Sequence, residues 1–170
     1  HVNFLRRAAA GLPLTLVGTA ADFEAVPAVQ ALPAPLSGDE TAYLQYTSGS
    51  TQFPRGAQMT QRSILNNLSE IAGIGGNVCE DDRLVSWLPF YHDMGLVGGM
   101  LNPLYCGRPT VLMSPMLFLQ KPVRWLRAIS DYRITISGGP NFAYDLCTKK
   151  INDDQMEGVD LGSWILAFNG

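Results

Sequence analysis

Apolar and polar positions divide the chain into short apolar runs and longer segments with apolar residues at helical spacing. The short runs predict β-strands at residues 14–17, 42–46, 56–59, 83–87, 110–113, 134–136 and 164–168. The longer segments predict helices over residues 61–74, 94–105 and 141–150, and two more that begin at Ser114-Pro115 and at Pro122. Strands that alternate with helices are typical of βαβ units. The pattern therefore predicts an α/β fold with a mostly parallel sheet that helices cover.

The helix predicted over residues 61–74 has the clearest amphipathic pattern. Thr60 precedes it as a candidate N-cap. At helical spacing, one face collects Ile64, Leu65, Leu68, Ile71 and Ile74.

The first part of the chain differs from the rest. Residues 25–36 are rich in proline and alanine and read as an irregular connector. We therefore divide the chain into a leading segment with this connector, residues 1–40, and a main domain, residues 41–170. Because the apolar run at 164–168 lies so close to the last residue, we expect the chain to be a piece of a longer protein.

Composition excludes several classes of protein. The chain has 170 residues, of which 46% are hydrophobic and 16% charged, with a net charge of −3. This composition argues against disorder, and the acidic balance argues against nucleic-acid binding. The apolar stretch 94–119 is broken at Asn102-Pro103 and again at Gly107-Arg108-Pro109, so no membrane span is predicted. The cysteines, at 79, 106 and 147, match no zinc or disulfide spacing, which favours reduced thiols in a cytoplasmic protein.

The first candidate for chemistry is YTSGSTQFPRG at residues 46–56. Its hydroxyl groups surround Gly49 directly after a predicted strand, and Arg55 follows. Such a loop can direct hydroxyls and backbone N–H groups at an anion, with a cation close by. The alternative is a plain surface turn, since the same residue types form turns. The Gly-Lys-Ser/Thr ending of a Walker A loop is absent.

Two further stretches follow predicted strands. In SWLPFYHDMGL, residues 86–96, His92 stands beside Asp93 and could bind a ligand or exchange a proton; the alternative is a histidine bound to a backbone carbonyl. In SGGPN, residues 137–141, small residues allow a ligand to approach the backbone, unless the segment is simply a strand-to-helix turn. The acidic pairs Asp81-Asp82 and Asp153-Asp154 read as solvated turns. We predict no metal site built by the protein.

Together these stretches resemble a known family. YTSGSTxxPxG is similar to the phosphate-loop signature of the adenylate-forming superfamily, and SWLPFYHDMGL looks like its fatty acyl-AMP ligase branch. The segments MSPMLFLQKPVRWL, GGPNFAYDL and the final FNG continue the resemblance, which runs from about residue 43 to residue 170. The chain departs from many members of the superfamily at Gln52, where they have glycine, and at Arg55, where they have lysine. The family's later motifs and C-terminal lysine are not in the chain, so we expect the chain alone to be inactive.

The resemblance implies part of the large N-terminal adenylation domain of an α/β enzyme. It implies that the parent protein uses ATP and Mg²⁺ to convert a long-chain fatty acid to acyl-AMP, for lipid, polyketide or lipopeptide synthesis. An acyl carrier protein is then the expected acceptor. The alternatives are an acyl-CoA ligase, a non-catalytic adenylation-like module and a generic α/β nucleotide-binding domain.

The resemblance also implies roles for particular residues. His92, Asp93 and Arg55 are the candidate catalytic residues. The candidate nucleotide-binding residues are Thr47, Ser48, Gly49, Ser50, Thr51, Asn169 and Gly170. The candidate acyl-pocket residues are Met94, Gly95, Gly138, Gly139 and Asn141, and the apolar stretch 94–104 is a candidate wall for the acyl tail.

Overall fold

The computed structural model describes residues 3, 6–7, 10–11, 18–24, 26–27, 34–47, 55–74 and 81–170. The chain divides into two compact units, residues 1–36 and residues 37–170. In the first unit, helix α1 (Ala20–Glu24) begins with a reciprocal cap. The backbone N–H of Thr19 donates to Asp22 Oδ2 at 2.6 Å, and the N–H of Asp22 donates to Thr19 Oγ1 at 3.4 Å. The strand predicted at 14–17 lies outside the described residues.

The second unit opens with a β-hairpin followed by a helix. Strands β1 (Thr41–Thr47) and β2 (Arg55–Thr60) pair antiparallel and form a sheet of their own. These two strands therefore lie outside the predicted, mostly parallel sheet. Residues 48–54, which join them, are too few for the crossover of a dozen or more residues that a parallel pair needs. Helix α2 (Gln61–Ile74) follows directly and has the predicted bounds.

The remaining strands form the predicted parallel sheet. Strands β3 (Leu84–Ser86), β4 (Thr110–Leu112), β5 (Ile136–Gly139) and β6 (Leu166–Asn169) lie in the order β4-β3-β5-β6, and every pair is parallel. The prediction of an α/β fold is therefore confirmed. Strand β5 begins later than predicted, because the N–H of Ile134 still donates to Ile129 O at the end of the preceding helix.

Helices connect these strands and cover the sheet. The stretch predicted as one helix over 94–105 is a π-helix (Met94–Leu101) that continues as helix α3 (Asn102–Tyr105). After β4 come helices α4 (Pro115–Gln120) and α5 (Val123–Asp131). Helix α6 (Asn141–Lys150) has the predicted bounds, and a short helix α7 (Asp153–Met156) follows it.

The larger core lies between the parallel sheet and helices α4 to α6. Its centre is Trp125, which is fully buried and whose Nε1 donates to Ser137 Oγ at 2.9 Å. Ser137 Oγ in turn donates to Val85 O at 2.7 Å, so both of these buried polar side chains have partners. Trp87 stacks on Phe118 with ring centres 4.0 Å apart. This network ties α5 to two neighbouring strands.

A smaller core joins the π-helix to helix α2. Val97 packs with Ile64 and Leu68, and all three are buried. The other described members of the predicted apolar face are more open, with Leu65 51% and Ile71 37% exposed. Packing on one side of the helix covers only the stripe formed by positions four residues apart, so the buried face is narrower than the apolar pattern.

The prediction that the acidic pairs are solvated turns holds for Asp81, which is exposed in a turn, and for the exposure of Asp153 and Asp154, but not for Asp82. Asp82 is buried and accepts a hydrogen bond from Thr135 Oγ1 at 2.7 Å. Asp153 and Asp154 form the first turn of α7, which Asn152 caps, and negative charge is favourable at that end of a helix.

Cys106 and Cys147 carry free thiols, while Cys79 lies outside the described residues. Within the described ranges, the helices are too short or too polar to cross a membrane.

Candidate active site

Candidate residues from three separate stretches meet at one edge of the parallel sheet. His92 and Asp93 follow β3, Asn141 follows β5, and Asn169 and Gly170 lie at the end of β6. The carboxyl ends of parallel strands share one edge, which is where open α/β sheets bind ligands. A hydrogen bond joins Asn169 Nδ2 to Asn141 Oδ1. The sheet topology thus brings together residues that are far apart in the sequence.

His92 and Asp93 form a close pair at this edge. His92 Nδ1 lies 2.6 Å from Asp93 Oδ1, and the backbone N–H of Met94 donates to the same oxygen at 2.8 Å. The same N–H also donates to His92 Nδ1 at 3.2 Å, so the Met94 amide contacts both side chains. The imidazole is 59% exposed, so the ring is accessible to a ligand.

The segment before this pair is held by hydrogen bonds from two directions. The N–H of His92 donates to Pro89 O at 3.1 Å, and the N–H of Leu96 donates to His92 O at 2.9 Å. From the hairpin, Gln45 Nε2 donates to Tyr91 O at 2.9 Å. Asp93 also caps the π-helix, so the carboxylate beside His92 is itself fixed by the helix start.

A cleft of about 670 Å³, the first cleft, lies between the hairpin, helix α2 and the π-helix. It is lined by Tyr43, Gln45, Ala57, Met59, Ser63, Asn67, Ile71, Asp93, Met94, Val97, Gly98 and Phe168. Most of these side chains are apolar. Burial, and then the nearby charge of Asp93, raises the pKa of Tyr43, so its phenol is protonated at neutral pH.

A second cleft, of about 450 Å³, lies on the other side of Met94. It is lined by Trp87, Leu88, Pro89, Tyr91, His92, Met94, Pro115, Leu119, Pro140, Phe142 and Gly170. Met94 borders both clefts, and a Cβ added to Gly170 would lie 3.2 Å from Met94 Cε. His92 and Asp93 therefore stand where the two clefts approach each other.

Three glycines predicted to line an acyl pocket pack closely against backbone oxygens or an aromatic ring. An added Cβ would lie 2.2 Å from Pro89 O at Gly95, 2.1 Å from Phe168 O at Gly138 and 2.6 Å from the Trp87 ring at Gly139. All three are buried, and none of them lines either cleft. Their missing side chains serve the close packing of backbone and rings.

The candidate phosphate loop connects the two strands of the hairpin. Thr47 at the end of β1 and Arg55 at the start of β2 are directly opposite each other in the ladder. Arg55 is exposed. Ser48, Gly49, Ser50 and Thr51 lie outside the described residues, as does Gln52.

Several lining residues were not found from the sequence, although their spacing carries a signal. Tyr43 and Gln45, like Ala57 and Met59, are two residues apart, which places each pair on one face of its strand. On helix α2, Ser63, Asn67 and Ile71 repeat every four residues, which places them on one helix face. Only the hairpin pairing shows that these faces enclose a common space.

The match to a protein family decides the identity of the chain. The family model described as "AMP-binding enzyme" matches residues 8–169. The chain belongs to this family. The resemblance seen in its motifs is thereby confirmed, and members of this family of adenylate-forming enzymes use ATP.

Relatives of this AMP-binding chain include fatty-acid ligases. It is 51% identical over 134 residues to the medium-chain-fatty-acid–[acyl-carrier-protein] ligase TtuA of Teredinibacter turnerae, covering 78% of this chain and 20% of that protein. A fatty acyl-adenylate ligase from L. pneumophila, solved with acyl adenylate and pyrophosphate, is 46% identical with a TM-score of 0.77. That match covers 82% of this chain and 24% of the ligase.

A structure from a study of fatty acyl-adenylate ligases from E. coli and L. pneumophila matches more of the chain. Its TM-score is 0.89 at 38% identity, over 99% of this chain and 30% of the other. The chain spans about a fifth of the length of the curated relative TtuA.

Proposed function

We propose that the enzyme to which this chain belongs activates a fatty acid with ATP. The fatty-acid carboxylate attacks the α-phosphorus of ATP, the bond from that phosphorus to the bridging oxygen breaks, and acyl-AMP and pyrophosphate form. The observation that carries this proposal is the first cleft, a largely apolar space with the His92–Asp93 pair at its border. A fatty acid needs apolar surface for its tail and polar groups near its reacting carboxylate.

The first cleft suits an acyl chain in size and lining. Its volume of about 670 Å³ lies within the usual range for small-molecule sites, roughly 300–1,000 Å³. Met59, Ile71 and Val97 offer apolar surface, while Asp93 and the protonated phenol of Tyr43 are polar. An acyl chain in this cleft would place its carboxylate near His92.

His92 has the geometry to contact that carboxylate. Its ring is 59% exposed, with Nδ1 2.6 Å from Asp93 Oδ1, so it is open to a ligand that binds beside Asp93. Bringing two anions together for in-line attack requires positioning and neutralisation of charge. We assign Thr47, the hydroxyl residues after it and Arg55 to the ATP phosphates, and Asn169 and Gly170 to the border of the nucleotide site.

We propose Mg²⁺ as the companion of the ATP phosphates. Across the described ranges, no three His, Cys, Asp or Glu side chains gather where a metal could bind. Mg²⁺ commonly binds through substrate phosphates and water with only one or two carboxylates. The phosphates would supply most of its ligands, and this chain's part is to hold the phosphates.

We further propose that the thiol of an acyl carrier protein attacks the acyl carbonyl of acyl-AMP. A thioester forms, the bond to the phosphate oxygen breaks, and AMP and the thiol proton leave. The 51% identity to TtuA, whose name specifies such an acceptor, supports this choice over coenzyme A. A need for ATP and the free thiols of Cys106 and Cys147 agree with a cytoplasmic location.

The test measures pyrophosphate release and acyl-AMP by mass spectrometry, using the intact enzyme with ATP, Mg²⁺ and a fatty acid. Asp93→Asn keeps an oxygen that can cap Met94 but removes the charge beside His92, and we expect kcat to fall about tenfold, part of what loss of one preorganised group costs. Asp145→Asn is the matched control, since Asp145 pairs with Lys149 on the exposed surface of α6.

Fatty-acid-dependent pyrophosphate release with matching acyl-AMP supports the proposal. Pyrophosphate release that does not depend on fatty acid contradicts it. Equal activity of the two variants contradicts the role given to the His92–Asp93 pair.

A further inference from the structure

Gly98 stands apart from the other glycines of the π-helix. At Gly95 an added Cβ would lie 2.2 Å from Pro89 O, and at Gly99 it would lie 2.4 Å from Ser86 Oγ. At Gly98 an added Cβ would have no atom within 4 Å. Packing explains the first two glycines, but it does not require a glycine at position 98.

Backbone conformation does not require glycine there either. The residues with positive φ in the described chain are Gly11, Gly107, Arg133 and Gly158, so Gly98 is not in the left-handed region. Within a helix, glycine is destabilising by roughly 1 kcal/mol relative to alanine. A residue with a side chain would therefore fit the space and the backbone at position 98 and would favour the helix.

Because Gly98 lines the first cleft, its lack of a side chain affects the volume of that cleft. Gly98 lines the first cleft together with Asp93, Met94 and Val97, which lie on the same side of the π-helix. It is five residues after Asp93, about one turn further along this helix and away from the reacting end. A side chain at position 98 would fill cleft volume beyond the carboxylate, where the acyl tail extends.

We propose that Gly98 sets the usable depth of the acyl cleft and so selects for longer fatty acids. This inference rests on the proposed function, because it assumes that the first cleft holds the acyl chain. Each methylene excluded from an apolar site lowers affinity about fourfold, from the burial free energy of one methylene. A larger side chain at position 98 therefore acts on long chains and spares short ones.

The experiment compares Gly98→Ala and Gly98→Leu in the intact enzyme. The assay determines kcat/KM for pyrophosphate release with saturated fatty acids from hexanoate to palmitate. We expect Gly98→Leu to lower the palmitate-to-hexanoate ratio about tenfold or more, and Gly98→Ala to lower it by about fourfold. Graded loss separates the effect of volume from a general disturbance of the helix.

Gly73→Leu is the matched control. Gly73 lies in helix α2, an added Cβ would have no atom within 4 Å, and the residue lines neither cleft. Both leucine variants gain helix propensity, so neither should melt below the wild type. We expect Gly73→Leu to leave the palmitate-to-hexanoate ratio unchanged.

Two failures are distinguishable. If the wild-type enzyme releases pyrophosphate without any fatty-acid dependence, the proposed function and this inference both fall. If the wild type activates fatty acids but the Gly98 variants change all chain lengths equally, or none, the role of Gly98 is refuted and the proposed function stands. If Gly98→Leu does not fold, Gly98→Ala decides by the same ratio.

Discussion

Replacing Tyr144 by phenylalanine tests how the end of strand β6 is held at the site. Tyr144 lies on helix α6, and its hydroxyl donates to Phe168 O at 2.6 Å. The next two residues are Asn169 and Gly170, which we assign to the border of the nucleotide site. Tyr144→Phe removes one oxygen and leaves the rest of the ring, including its edge contact with Trp125 at 5.6 Å.

The magnitude follows from that single hydrogen bond. A hydrogen bond of this kind contributes about 0.5–1.5 kcal/mol net to stability, and the ring leaves no cavity to add to the cost. Burial, followed by the proximity of Cys147, raises the pKa of Tyr144, so the hydroxyl is protonated throughout the neutral range. If the strand end loosens by the same free energy, the KM for ATP should rise about two- to tenfold.

The assay measures KM for ATP and for fatty acid in the intact enzyme, together with the melting temperature. Tyr132→Phe is the matched control, because Tyr132 is 54% exposed and follows α5 at the opposite edge of the sheet. We expect the control to change neither KM. A merely structural role for Tyr144 would lower the melting temperature and leave the KM for ATP unchanged, and that result would refute the reasoning.

Two other predictions concern the hairpin end and the half-buried thiol of Cys147. In the intact enzyme, Thr47→Ala, Ser48→Ala and Arg55→Ala should each raise the barrier to pyrophosphate release by about 3 kcal/mol, the typical cost of one preorganised donor, without weakening fatty-acid binding; unchanged release in all three would make the segment a plain turn. Burial raises the pKa of Cys147 from 9.0 to about 11, so the unfolded thiol ionises first and the thiol's contribution to stability, full below pH 9, is lost towards pH 11. Urea unfolding across that range should show a shallower loss of stability in Cys147→Ala, and equal slopes would contradict the raised pKa of this half-buried thiol.

Local signals determined several elements. Helix α2 begins where predicted because Thr60 Oγ1 accepts the N–H of Ser63 at 3.2 Å, a cap written entirely in neighbouring residues. Helix α6 likewise begins after Pro140, whose fixed φ suits the start of a helix. Elements of this kind depend on contacts within a few residues, and the sequence pattern contains those contacts.

Other features required contacts between distant residues. The sequence predicted that Asp82 lies in a solvated turn. In the structure Asp82 is buried, and its carboxylate accepts a hydrogen bond from Thr135, the residue before β5. The glycines at 138 and 139 looked like places for a ligand, and the structure instead sets them against Phe168 and Trp87. The sequence alone does not distinguish a glycine that contacts a ligand from one that packs against an aromatic ring.

The sequence by itself determined the alternation of strands and helices, the stretches that carry chemistry and the resemblance to adenylate-forming enzymes. Periodicity, caps and motifs are local, so one chain suffices to read them. Tertiary structure alone decided that the β1–β2 hairpin stays outside the parallel sheet, that this hairpin faces the π-helix across the first cleft, and that His92 lies near Gly170. A cleft is space between surfaces that the chain brings together from distant positions. Its shape depends on pairing and packing partners that no local pattern specifies.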